Sequence, residues 1–274
     1  MTYATLMVHL EIGRSNESLL NISAVLADRF KAAVVGIAVG QQLQPAYVDG
    51  YAAGDMFALD LDDINKNISE AEDEFRKALA SASTRLEWRS SVQMGPQAEH
   101  IATEARSADI VLTGARGPDL FGTSRMASCA EIVMRAGRPV LVVPDAVNVP
   151  RLDWIVVGWK DTREARRAVS DALPFLSKAA HVTVVEFAMP DDMDSARSRV
   201  DDVCAWLAHH GISAEAVVQS AGDGDNLLDT FAERRGADLI VAGAYGHTRL
   251  GEWLFGGYTK DLVRRARRCV LLSH

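Results

Sequence analysis

Four glycines and a threonine near the C-terminal end have the types and spacing to hold a phosphate. They stand as Gly243-x2-Gly246-x9-Gly256-Gly257-x-Thr259 within the text GAYGHTRLGEWLFGGYT. Gly243 and Gly246 follow the apolar run ADLIVA, and glycine there lets a ligand approach the backbone with no Cβ in the way. Gly256 and Gly257 precede amphipathic text carrying Leu262, Val263 and Ala266, which places their amides at a helix N-terminus. Free N–H groups and the helix dipole favour an anion at such a position by about 0.3–1 kcal/mol. The Thr259 hydroxyl is a further donor. The alternative is that these are turn glycines, with Gly256 and Gly257 only separating one helix from the next. Their placement after a strand and before a helix favours the anion site.

Short β-type runs alternate with helical ones along the whole chain. Strands are predicted at residues 3–10, 33–39, 86–93, 109–114 and 139–144, then at 154–159, 181–187, 214–219, 238–243 and 269–273. Between them, apolar residues recur at helical spacing. Examples are Leu19, Ile22, Leu26 and Phe30 after the candidate caps Ser15 and Asn16, and Ile64, Ile68, Ala71, Phe75 and Leu79 further on. Ala165, Ala168, Val169, Ala172 and Leu176 mark another helix, and Val200, Val203 and Leu207 the next. Residues 40–60, with Tyr47, Tyr51 and Phe57, read as a loop longer than the usual βα connection of about 2–6 residues, which leaves a lid, a partner surface and a variable insertion open.

The text ADIVLTGARG at 108–117 reads as a worn copy of ADLIVAGAYG at 237–246. Strand–helix alternation implies right-handed βαβ crossovers and parallel sheets, so the predicted class is α/β: two tandem, doubly wound, Rossmann-like domains. Their expected bounds are 1–146 and 151–274, joined by the polar, turn-rich segment at 145–153. In such sheets ligands bind beyond the carboxyl ends of the strands, where strand order reverses.

Composition removes several classes of function. The net charge of −8 argues against a nucleic-acid surface, and the basic cluster at 264–268 reads as the solvated end of a helix. No apolar run approaches the roughly 20 residues needed to span a bilayer. Three scattered cysteines without a CxxC speak against disulfides and zinc, and fit a reducing, cytoplasmic setting. No P-loop, HExxH, GxSxG or EF-hand pattern is present. His209 and His210 are adjacent and so diverge on a helix. The GxG fragment at 221–226 reads as a turn with a helix cap, and His247 as a loop histidine.

The glycine pattern, the run ADLIVAG before it and GRPVLVVP at 137–144 resemble the universal stress protein (UspA-type) family, whose nucleotide-binding members carry G-x2-G-x9-G-(S/T). The resemblance covers essentially the whole chain in the family's tandem form. It implies that Gly243 and Gly246 line the ribose and phosphate side, while Gly256, Gly257 and Thr259 take the phosphates, with Ala242 and Tyr258 adjoining through backbone. Adenine would be read by main-chain groups near Phe187 and Ala188. Two departures stand out. Gly257 replaces the usual hydroxyl residue, and Lys160 stands where the family has an Asp, with Asp161 displaced by one. Lys160 is left to contact a phosphate or to be solvated, and Thr162 to cap the following helix.

The first half keeps Gly114 and Gly117 but offers only Ala127 and Ser128, or Met126 and Ala127, at the phosphate end. Glu11 falls near the family's Asp. That half reads as a degenerate, empty site. The resemblance further implies ATP or a related adenine nucleotide, alone or with Mg2+, and pairing through the last strands between halves and between chains as a homodimer. The expected role is a nucleotide-responsive stress regulator with unidentified protein partners. No catalytic constellation is visible, and slow ATP hydrolysis or autophosphorylation is the most the residues allow. The rival expectation is a scaffold of the same family that holds no nucleotide. An ATP-using enzyme of related fold lacks its further acidic and basic motifs here.

Overall fold

The computed structural model describes residues 2–42, 52–82, 85–115, 127–145, 147, 151–221, 227–244 and 267–274. They form two compact units, Tyr3–Arg138 and Pro139–His274.

In the first unit, β1 (Thr5–Leu10), β2 (Ala33–Gln41), β3 (Leu86–Gln93) and β4 (Ile110–Gly114) form a parallel sheet in the order β3-β2-β1-β4. The helices are α1 (Glu17–Phe30), α2 (Ala52–Leu79), α3 (Gln97–Glu104) and α4 (Cys129–Arg135). The apolar spacing read from sequence becomes the packed face. Leu19, Ile22, Leu26 and Phe30 of α1 are buried, as are Ile64, Ile68, Ala71, Phe75 and Leu79 of α2. β1 and β2 are almost continuously buried, as parallel strands covered on both faces must be.

Two local expectations are corrected. α2 begins at Ala52, inside the segment read as loop. Asn16 occupies the N-cap position of α1, but its side chain does not cap the helix. Its amide instead clamps the main chain of Glu11, accepting from the Glu11 amide at 2.9 Å and donating to the Glu11 carbonyl at 3.1 Å.

The second unit holds β5 (Val140–Val143), β6 (Trp154–Gly158), β7 (His181–Ala188), β8 (Glu215–Ser220), β9 (Leu239–Gly243) and β10 (Cys269–Ser273). The order is β5-β10-β9-β6-β7-β8, parallel throughout except for β5, which runs antiparallel to β10. The last strand of the first sequence repeat thus adds to the last strand of the second. Its helices are α5 (Arg163–Leu176), α6 (Met193–His209) and α7 (Leu227–Arg234). Within the segment read as a linker, Leu152 is buried with a left-handed φ of 51°. The basic cluster is not wholly solvated: Arg268 is buried and lies 3.6 Å from Asp229 of α7. Its guanidinium Nε and Nη1 are buried there without a hydrogen-bond partner.

One buried group of the first unit titrates against the fold. His9 of β1 lies opposite Thr113 of β4, their Nδ1 and Oγ1 3.0 Å apart, and burial pushes the imidazole down to about 4. The unfolded chain therefore takes up a proton below its ordinary value of 6.5 that the fold refuses until about 4. Stability from this site is complete above pH 6.5 and is lost as pH falls through that window, by up to about 3 kcal/mol. Urea unfolding followed by circular dichroism at pH 7 and pH 5 should show a drop in midpoint that His9→Gln largely removes. The thiols give a second check. Cys129 and Cys269 are buried and pushed up to about 12, and half-buried Cys204 to about 11, desolvation being the main cause each time. A disulfide-exchange reagent at neutral pH should label Cys204 slowly, the other two hardly at all, and all three once the chain is unfolded.

Candidate functional site

Strand order in the second unit reverses between β6 and β9: the chain proceeds from β6 to β7 and β8 on one side, then returns to β9 on the other. The carboxyl ends of these two strands carry the residues singled out in the sequence. Ala242 is buried in β9, in register with Gly158 of β6 and Leu272 of β10. Gly243 closes β9, and the Ala244 amide that follows donates to the Ser273 carbonyl at 2.8 Å.

Glycine at 243 answers a need other than ligand access. A Cβ there would lie 2.6 Å from the Ala165 amide nitrogen and 2.6 Å from the Glu164 carbonyl carbon. The first turn of α5 is laid directly on the end of β9, backbone against backbone. That turn is capped: Thr162 holds extended backbone, and its hydroxyl accepts from the Ala165 amide at 3.3 Å, as the sequence led one to expect. The positive end of the α5 dipole is thereby fixed at the switch point.

Lys160 and Asp161 form the connection from β6 to α5. Lys160 is half-buried, and its carbonyl accepts from the Thr162 amide at 2.7 Å. Asp161 is ion-paired to Arg166 at 2.7 Å, with both side chains more than half exposed, so the pair adds little stability. Phe187 lies near the end of β7, its ring meeting Phe231 of α7 edge-on at 6.2 Å. The Phe187 side chain is half-buried in that contact.

Ala242, Gly243, Lys160 and Asp161 are thus gathered around the ends of β6 and β9, with Phe187 on the neighbouring strand. Gly246, Gly256, Gly257, Tyr258 and Thr259 lie outside the described residues, as do Gly117, His247 and the helix expected after Gly257.

Sequence reasoning passed over Glu164. Its side chain is only 5% exposed, directly beneath Gly243. Burial pushes its carboxyl up, but Arg163 at 2.5 Å, its own amide and Thr162 outweigh that and hold it below the usual carboxylate range. The signal was available: an acidic residue two positions after a capping threonine sits in the first helical turn, where the dipole welcomes it.

The equivalent place in the first unit is chemically different. The Glu11 carboxylate comes within 3.3 Å of where a Gly114 Cβ would stand, and Glu11 is buried. At the start of α4, the Ala127 amide donates to the side chain of buried Gln97 at 2.9 Å. A carboxylate at the strand end repels phosphate, and the amide that could have met an anion is already engaged. Among the described residues no group of three or more His, Cys, Asp or Glu side chains could hold a metal ion. No described helix is long and apolar enough to cross a membrane.

The sequence of residues 151–274 matches the model of the universal stress protein family. The second half of the chain belongs to that family. The fold extends the likeness to the whole chain. A universal stress protein from Archaeoglobus fulgidus DSM 4304 superposes with a TM-score of 0.72 at 14% identity, covering 97% of each chain. Single-domain universal stress proteins align with about half of this chain. One in complex with cAMP covers 53% of it and 98% of its own length, at 22% identity and a TM-score of 0.35. Another, from Archaeoglobus fulgidus in complex with dAMP, covers 52% and 99%, at 18% identity and a TM-score of 0.33. No curated protein matches the chain.

Contact at Gly243 sets a test of this universal stress domain. Gly243→Ala forces β9 and α5 apart and should lower stability by about 1–3 kcal/mol, with thermal unfolding as the measure. Lys160→Ala, at a half-buried loop position, should change stability far less.

Proposed function

We propose that the second unit binds an adenine nucleotide, ATP foremost, across the carboxyl ends of β6 and β9. The protein then acts as a nucleotide-responsive regulator of the stress response. The observation that supports this reading is the switch point itself, where Gly243 accepts the capped, electropositive start of α5. In sequence, Gly246, Gly256, Gly257 and Thr259 follow at the family's spacing. Lys160 supplies a cation where the family carries an Asp, which suits a triphosphate. Adenine nucleotides are also the ligands to try first, since solved members of the family include complexes with cAMP and with dAMP. Magnesium would enter with the triphosphate rather than through a protein site of its own.

The same reading leaves the first unit empty, since Glu11 and Gln97 occupy its strand end. It takes residues 1–146 and 151–274 as the two repeats, with β5 of the first lent to the sheet of the second. Homodimerisation through the last strands, a cytoplasmic setting suited to three free thiols, and regulation without efficient turnover complete it.

Two measurements test the proposal. Protein purified without added nucleotide is denatured and the released small molecules are identified by mass. Melting is then followed with millimolar ATP for wild type and Gly256→Asp, whose carboxylate would stand among the proposed phosphate contacts. Released adenine nucleotide, or a rise in Tm of a few degrees that Gly256→Asp abolishes, supports nucleotide binding. No nucleotide and no shift at millimolar ATP would leave the scaffold reading in its place. Gly243 is unsuitable for this test, because its replacement strains the fold whatever binds.

A further inference from the structure

The glycine stretch of the second unit departs from β9 through Ala244, the residue after Gly243. Ala244 is fully buried, and both of its main-chain polar groups are held from the end of β10. Its amide donates to the Ser273 carbonyl at 2.8 Å, continuing the register that pairs Ser273 with Gly243. Its carbonyl lies 3.1 Å from Nδ1 of half-buried His274. A carbonyl can only accept, so the proton of this bond is on Nδ1, and the neutral ring keeps its lone pair on Nε2. In a parallel ladder a main-chain amide fills that role. Here a side chain does, and the hold of β10 on β9 reaches one residue beyond the strand.

The sequence repeat sets this bond apart. RPVLVVP at 138–144 corresponds to RCVLLSH at 268–274, which matches Pro144 to His274, and Ala115 matches Ala244. Proline carries no side-chain donor. The repeat that lacks the later glycines, and whose strand end is taken by Glu11 and Gln97, thus also lacks the group that makes the tether. The repeat that keeps the glycines has it.

We propose that His274 is a positioning residue of the strand-end site: its imidazole holds the main chain where the glycine stretch begins, and so sets the affinity for nucleotide. This role rests on the nucleotide reading of that strand end. The physical basis is preorganisation. A main chain already fixed at Ala244 loses less conformational freedom when a ligand draws the following amides into place, and the smaller loss appears in the dissociation constant.

Two substitutions in the full chain test the proposal. His274→Phe keeps a ring of similar size and removes the donor, whereas His274→Asn places an amide N–H where Nδ1 stands. ATP binding is measured by titration calorimetry at a temperature where thermal unfolding shows all three proteins folded. His274→Phe should weaken ATP about fivefold, the worth of one hydrogen bond, and His274→Asn should keep most of the wild-type affinity. A residue that served stability alone would lower Tm in His274→Phe and leave the dissociation constant unchanged, and that result would overturn the proposal. So would an equal loss of affinity in both variants, since the bond to Ala244 would then not be what counts. Wild type that binds no ATP would overturn the nucleotide reading and this role together, whereas failure in the variants alone leaves nucleotide binding standing.

Discussion

In the second unit the α5 backbone is laid directly against the end of β9. Peptide groups meet there at a separation that any side chain at position 243 would prevent. From this one contact several features follow. The start of α5 is held at the point where strand order reverses, so its dipole is directed there, while the Ala165 amide is taken by the Thr162 hydroxyl. Thr162 must leave the helix in extended backbone to cap it, which fixes the course of Lys160 and Asp161 out of β6. Glu164 is buried beneath the strand end, where Arg163, its own amide and Thr162 outweigh desolvation and hold its carboxyl below the usual range.

The two halves show how a shared topology can hold unlike chemistry. Both sheets place their first and fourth strands side by side, and both keep a glycine at the end of the fourth strand. In the second unit, helix backbone fills the space over that glycine. In the first, a glutamate side chain fills it, anchored through the clamp of Asn16 on the Glu11 main chain. The second unit carries a buried carboxylate at that place too, Glu164 beneath Gly243, but there Arg163 is paired with it. Duplication of the chain therefore need not mean duplication of a ligand site.

Adjacent positions on a strand face opposite ways, and the end of β6 exploits this. Glycine at 158 lets α7 approach one face through Leu228, while Trp159 lines a cleft between α5 and α6 with Val169 and Val203. The groove is bounded by ion pairs that belong to the fold, chiefly Arg199 with Glu186 and Asp192.

The alternation of strand and helix, the strand positions to within a residue or two, and the inward faces of α1, α2 and α5 were legible in the sequence. They rest on local periodicity, which a single chain displays directly. The cap at Thr162 was legible for the same reason, since its partner is three residues away. Other features depended on residues distant in sequence. Nothing near Gly243 announces that α5 will lie on it, and nothing near Ala127 that Gln97 will take its amide. The pairing of β5 with β10, the last strands of the two halves, was expected from the family resemblance. Composition and period thus determined the architecture and the candidate glycines. Only the folded chain decided which glycine serves packing, which carboxylate occupies a strand end and where Trp159 faces, because those outcomes depend on contacts between segments that the pattern along the chain does not encode.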